Sequence, residues 1–168
     1  MEGSKAVYAM DKNKLTALYT KPFDLVDKYA YVAAIDDVDQ IIVESQGVKN
    51  VMTISRVTKP AQNAGDKDEV VTTFKVDGKD VPEDTARDLY MQAISLMVEA
   101  ENDKKMTEKP DIKVTFLLNK GEPKVVNLSF CSYNTDFYGF FKNGKSDFLI
   151  SKAQVQKVID SLQKLKTS

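Results

Sequence analysis

The chain has 168 residues, of which 42% are hydrophobic and 29% charged, with a formal net charge of -1. That length suits one domain able to bury roughly 70% of the surface its unfolded form exposes, and the charge balance gives no electrostatic reason to expect nucleic acid or an anionic membrane as partner. The absence of histidine excludes a Ser-His-Asp triad, a Cys-His dyad and the usual His-containing zinc sites, and the single cysteine, Cys131, excludes an internal disulfide.

Taken in chain order, the first element is a short helix over 12–20, with Asp11 as its cap and Leu15 and Leu18 facing inward. Residues 38–45 and 49–57 are rich in branched side chains and are separated by Gln46-Gly47, which reads as a hairpin. The polar stretch 59–68 is a loop, and 69–76 is a strand that turns at Asp77-Gly78. A helix is expected over 82–101: Pro82 suits the first turn, Glu83 and Asp84 complement the positive helix end, and Ala86, Leu89, Tyr90, Ala93, Ile94, Met97 and Ala100 form an apolar stripe.

After a second polar stretch at 102–110, strands are expected at 111–118, 124–131, 135–142 and 145–150. Asn143-Gly144 is the strongest turn signal in the chain, because both central residues of a type I′ turn need positive φ. The last element is an amphipathic helix over 152–165. Ser151 and Gln154 have capping-box spacing, Ile150 and Val155 are placed as a hydrophobic staple, and Val155, Val158, Ile159, Leu162 and Leu165 share one face. The whole is an α+β domain, an antiparallel hairpin-built sheet with helices 82–101 and 152–165 packed on one face. An internal echo links 5–20 with 146–165. Each is a strand, a capping residue, a Lys and then Leu or Val at helical spacing, which fits either any strand-to-helix junction or one unit of a tandem array.

No catalytic or metal site emerges, and no cofactor is implied. Arginine occurs only at Arg56 and Arg87, which weakens readings that need a bidentate anion fork. No P-loop, G-x-S-x-G or G-x-G-x-x-G occurs. Cys131 lies within a strand and reads as a small buried thiol. The acidic cluster Asp36, Asp37 and Asp39 lacks the calcium-loop pattern and reads as a solvated turn. Plentiful carboxylates leave a two-carboxylate hydrolase open by residue type, although no spacing selects a pair. Aromatics cluster at Phe130, Tyr133, Phe137, Tyr138, Phe140 and Phe141. Alternation puts Phe137 and Phe141 on one sheet face and Tyr138 and Phe140 on the other. Tyr133, Tyr138 and Phe140 are therefore the candidate interaction surface, for a protein partner or a glycan, against the alternative of a sheet covered on both sides.

No apolar run approaches the length of a spanning helix, and Met1-Glu2-Gly3-Ser4 reads as an initiator followed by a cloning remnant. Several stretches resemble a bacterial family, domain-of-unknown-function family 4340. They are Val7-Tyr8-Ala9-Met10, Phe23-Asp24-Leu25-Val26, Asp36-Asp37-Val38-Asp39-Gln40-Ile41 and the helix Ala86-Arg87-Asp88-Leu89-Tyr90. Asp136-Phe137-Tyr138, Asn143-Gly144-Lys145-Ser146 and Phe148-Leu149-Ile150-Ser151-Lys152 complete the set. The resemblance spans most of the chain, but its motifs are turns, caps and core positions. It implies an extracytoplasmic accessory domain of a protein with one N-terminal membrane helix, associated with an ABC-type transporter or gliding motility. It implies a protein partner and no catalytic residue, and the chain then reads as a fragment of that longer protein.

Overall fold

The computed structural model describes residues 21–61 and 68–167. One antiparallel sheet carries nine strands in the order β4-β3-β2-β1-β6-β7-β8-β9-β5. They are β1 Val38–Ser45, β2 Val48–Lys59, β3 Glu69–Val76, β4 Lys79–Val81, β5 Ala100–Glu101, β6 Ile112–Leu118, β7 Val125–Ser132, β8 Phe137–Lys142 and β9 Lys145–Ser151. Helices α1, Glu83–Ile94, and α2, Lys152–Thr167, lie on one face, so the expected α+β class holds. No described helix is long and apolar enough to cross a membrane.

The sheet follows from two local devices. Tight turns fix the register: Asn143 and Gly144 take φ of 55° and 77°, the left-handed pair a type I′ hairpin requires, and Gln46-Gly47 and Asp77-Gly78 turn the same way. Alternation then selects a face. One cross-strand row, Val76–Met52–Ile41–Phe116–Val126, runs through five adjacent strands on the helix side. A second, Ile112–Phe130–Phe140–Phe148, continues from β6 to β9. Phe116 and Phe130 are fully buried beneath Ala86, Leu89, Tyr90 and Ala93 of α1 and Val155, Val158, Ile159 and Leu162 of α2, all in one core.

The helix expected over 82–101 stops at Ile94, where the Ser95 amide donates to the Met91 carbonyl at 3.0 Å. From there the burial period changes from helical to two. Leu96 and Val98 point into the core while Met97 and Glu99 point out. The apolar Met97 and Ala100 continued the helical stripe by coincidence. What pulls the chain straight is tertiary. The Val98 amide donates to the Lys28 carbonyl at 2.7 Å and the Glu99 amide to Leu149 at 2.9 Å. Gln154 also holds both backbone groups of Met97, accepting from its N–H at 2.9 Å and donating to its carbonyl at 3.1 Å. The Gln154 amide side chain thus acts as a short piece of strand, with only a 3.3 Å contact to the Ser151 hydroxyl left from the expected capping box.

Elsewhere the boundaries move by a few residues. The strand expected from 135 begins at Phe137 because the Asn134 side chain accepts from the Asp136 and Phe137 amides, at 2.9 and 2.8 Å, and forms an Asx turn. β4 and β5 are too short to carry a periodic signal. The expected helix 12–20, the repeat junction at 5–20 and residues 62–67 of the loop at 59–68 lie outside the described residues.

Among the described residues, the opposite face is covered at its β7–β8–β9 end, by the stretch 102–110. Asn102 donates to the Ser146 carbonyl at 2.9 Å, Tyr133 donates to Asp103 at 2.6 Å, and Met106 sits over Gly139. A Cβ on Gly139 would collide with Met106 Sδ and Cε, so the glycine is a notch for that thioether. Gly139→Ala must push the free end of the flexible Met106 side chain aside, and is expected to lower stability by about 1 kcal/mol, the low end of overpacking, in urea unfolding. The double variant Gly139→Ala/Met106→Ala should cost clearly less than the two single changes summed, and strict additivity would show that the notch holds nothing.

Candidate functional site

Between the 3₁₀ turns Pro22–Leu25 and Ile35–Asp37 the chain crosses the helix-side face of the sheet. The crossing is anchored at both ends by aromatic contacts, Phe23 to Phe148 at 5.9 Å and Tyr31 to Phe116 at 5.0 Å. Its backbone is held from both flanks. The Ala30 amide donates to Leu96 at 2.8 Å, Lys142 Nζ donates to the Ala30 carbonyl at 3.1 Å, and the Tyr90 hydroxyl donates to the Ala33 carbonyl. Ala30 is buried and Tyr31 half-buried, while Tyr29 and Val32, on either side of that pair, point outward. Leu25, Tyr29 and Val32 are 74, 49 and 56% exposed, with Met97 bridged to Tyr29 and 38% exposed. This is an apolar set on a firmly held backbone.

A cleft opens on each side of the crossing. The first, about 440 Å³, is lined by Tyr31, Val32, Lys120, Glu122, Pro123 and Lys142 among others. The second, about 450 Å³, includes Asp27, Tyr29, Phe140, Lys142, Asp147 and Phe148. Lys142 and Asn143 belong to both. Burial, and then the nearby Asp37, push the Tyr31 hydroxyl above its ordinary pKa. Burial, with Tyr31, Asp37 and Asp36 adding to it, pushes Tyr90 up to about 12.

The acidic cluster is spent on structure. Arg56 donates to Asp39 at 3.1 Å and to the Ile35 and Val38 carbonyls at 2.5 and 2.9 Å, pinning the Ile35–Asp37 turn to β2. Asp37 pairs with Lys120 at 3.2 Å. Among the described residues no group of three or more Cys, Asp or Glu is placed to hold a metal ion. Cys131 is buried, and burial raises its thiol pKa.

The three residues proposed from the sequence as an interaction surface do not come together as one. Tyr138 and Phe140 do share a face, but it is the face the helices cover, not the one they leave open. Phe140 is 6% exposed and stacks on Phe130 at 5.8 Å. Tyr138 is half-buried, with Lys152 Nζ 5.1 Å above its ring. Tyr133 is held at the 102–110 stretch by Asp103, with Lys104 Nζ 4.3 Å over its ring. Sequence reasoning missed the crossing at 26–34, which carries no strand or helix period. Its signal was the exposed apolar residues Tyr29 and Val32 in a polar-poor, irregular stretch.

The raised Tyr90 pKa gives a signed pH dependence. An unfolded tyrosine loses its proton near pH 10, whereas in the folded chain Tyr90 keeps it to about 12. The contribution is therefore fully present below the unfolded pKa and is lost as pH rises between the two values. Urea unfolding across that window should show stability falling with pH, and Tyr90→Phe should make the fall shallower while costing about 1 kcal/mol at neutral pH through the lost hydrogen bond to Ala33. An equally steep fall in the variant would contradict this.

Compared with protein-family models, curated proteins and solved structures, the chain matches none of them.

Proposed function

We propose that the chain is a non-catalytic accessory domain that binds another protein through the crossing at 26–34 and the Leu25 that precedes it. The observation that carries this reading is the outward, apolar trio Leu25, Tyr29 and Val32, displayed on a backbone that is hydrogen-bonded on both flanks. An apolar centre with charged residues around it, here Asp27, Lys120, Lys142 and Asp147, is the common anatomy of a protein interface. A held backbone also lowers the ordering cost of binding. The resemblance to the domain-of-unknown-function family 4340 supports the rest of the reading: an extracytoplasmic domain of a membrane-anchored protein, with a component of an ABC-type transporter as partner.

The test uses a photo-reactive residue at position 32 in the protein expressed in its source bacterium. A cross-link to a transporter component, lost on Tyr29→Ser and kept on the distant Val57→Ser, is the expected result. Failure to recover a transporter component, or a cross-link indifferent to Tyr29, would overturn it.

A second reading, a small-molecule or glycan binder, is favoured by the two clefts, whose volumes lie within the range of small-ligand sites. Its aromatic contacts would be Tyr31 and Phe148 rather than Tyr138. A thermal-shift screen of metabolites and cell-wall sugars should then give hits that Lys142→Met, which alters both clefts, abolishes. A screen without hits counts against this reading and leaves the first untouched.

A further inference from the structure

We propose that the open half of β3, residues 69–73, is a self-association edge that pairs antiparallel with the same strand of a second copy of this chain. β3 has eight residues, but β4 pairs only with Phe74, Lys75 and Val76. Residues 69–73 therefore have β2 on one side and, among the described residues, no strand on the other.

The direction of the free groups follows from the turn. Val76 faces Lys79 across the two-residue turn at Asp77-Gly78, so its N–H and C=O point to β4. In an antiparallel strand every second residue points the same way. Phe74, Thr72 and Val70 thus direct their backbone groups to this edge. Those of Phe74 meet Val81, while no hydrogen bond among the described residues reaches the outward groups of Val70 or Thr72.

Sheet proteins usually blunt such an edge with lysine, proline, a bulge or a cover. The sequence Glu69-Val70-Val71-Thr72-Thr73 has neither lysine nor proline, and its register against β2 is unbroken. Val70 and Val57, beside this edge on opposite faces of the sheet, are 59 and 58% exposed.

A second copy fits these groups in one register. A two-fold axis through Val71 sets Val70 opposite Thr72 of the other copy, and Thr72 opposite Val70. Four hydrogen bonds then use all the outward donors and acceptors of both. Because Val57 lies opposite Val71 within the sheet, the outer face gains a row of four valines across the joint. Glu69 would come opposite Thr73, where Pro82 follows Val81, so the pairing runs over residues 70–72. An axis through Thr72 would place Val70 opposite Phe74, where β4 already sits. The joint has three residue pairs, short of the ~800 Å² per partner of a standard interface, so the dimer is weak and depends on concentration.

Sedimentation velocity from about 10 μM to about 1 mM, the range in which a weak interface populates its dimer, should show a monomer converting to a dimer. Val71→Lys, which opposes two like charges on the axis, should remove the dimer without changing the melting curve. Val71→Cys should cross-link to itself on mild oxidation, since Cα atoms facing at a non-hydrogen-bonded pair lie about 4.5 Å apart, within disulfide reach. It should do so roughly ten-fold or more faster than Ser55→Cys, on the same face but one strand inward, through the higher effective concentration of paired thiols. A monomer at every concentration with no excess cross-linking of Val71→Cys, or a dimer that survives Val71→Lys, would overturn the proposal.

Discussion

Side chains that meet across strands on the helix side of the sheet carry the rest of the structure. Val76, Met52, Ile41, Phe116 and Val126 form one unbroken row, and Ile112, Phe130, Phe140 and Phe148 another. Full burial of a phenylalanine contributes roughly 1.5–3 kcal/mol by area, and Phe116 and Phe130 are both fully buried. A one-residue slip in any strand would turn its whole apolar set to the other face. The type I′ turns set the register of β1 on β2, β3 on β4 and, with a one-residue shift between Phe140 and Lys142, β8 on β9, and the two helices cover the rows.

The helices do not cover the whole face, and the polar devices of the chain serve that remainder. Leu96 and Val98 leave helical geometry to fill it, held by β9, by the crossing chain and by the Gln154 side chain. The crossing at 26–34 fills the rest, with Tyr31 on Phe116 and Tyr90 tied to Ala33. Tyr29 and Val32 point outward on either side of the buried Ala30 and half-buried Tyr31, so packing and a candidate docking surface lie on one segment. Arg56 does for the next turn what Gln154 does for the strand, donating to the carbonyls of Ile35 and Val38.

Much of this was legible in the sequence where a period or a turn code was present. Val126, Leu128 and Phe130, or Val155, Val158, Ile159 and Leu162, announce their buried faces, and the Asn143-Gly144 turn announces itself. The end of α1 was not legible, because Met97 and Ala100 fall on the helical stripe while the forces that straighten the chain come from Lys28, Leu149 and Gln154, far away in sequence. The face of Tyr138 and Phe140 was half legible. Alternation separates them from Phe137 and Phe141, but which side receives the helices depends on where residues 83–94 and 152–167 return. The crossing at 26–34 has no period, and its order rests on contacts with Leu96, Lys142 and Tyr90 that no local pattern encodes.

The central claim is that the helix-side core runs unbroken to β8 and β9, which makes Phe140 a core residue. Equilibrium urea unfolding of Phe140→Ala tests it directly. A cooperative transition with stability lowered by about 3–5 kcal/mol is the result expected of a buried phenylalanine. A loss within about 0.5 kcal/mol, the range of an exposed side chain, would place Phe140 on the surface and contradict the account.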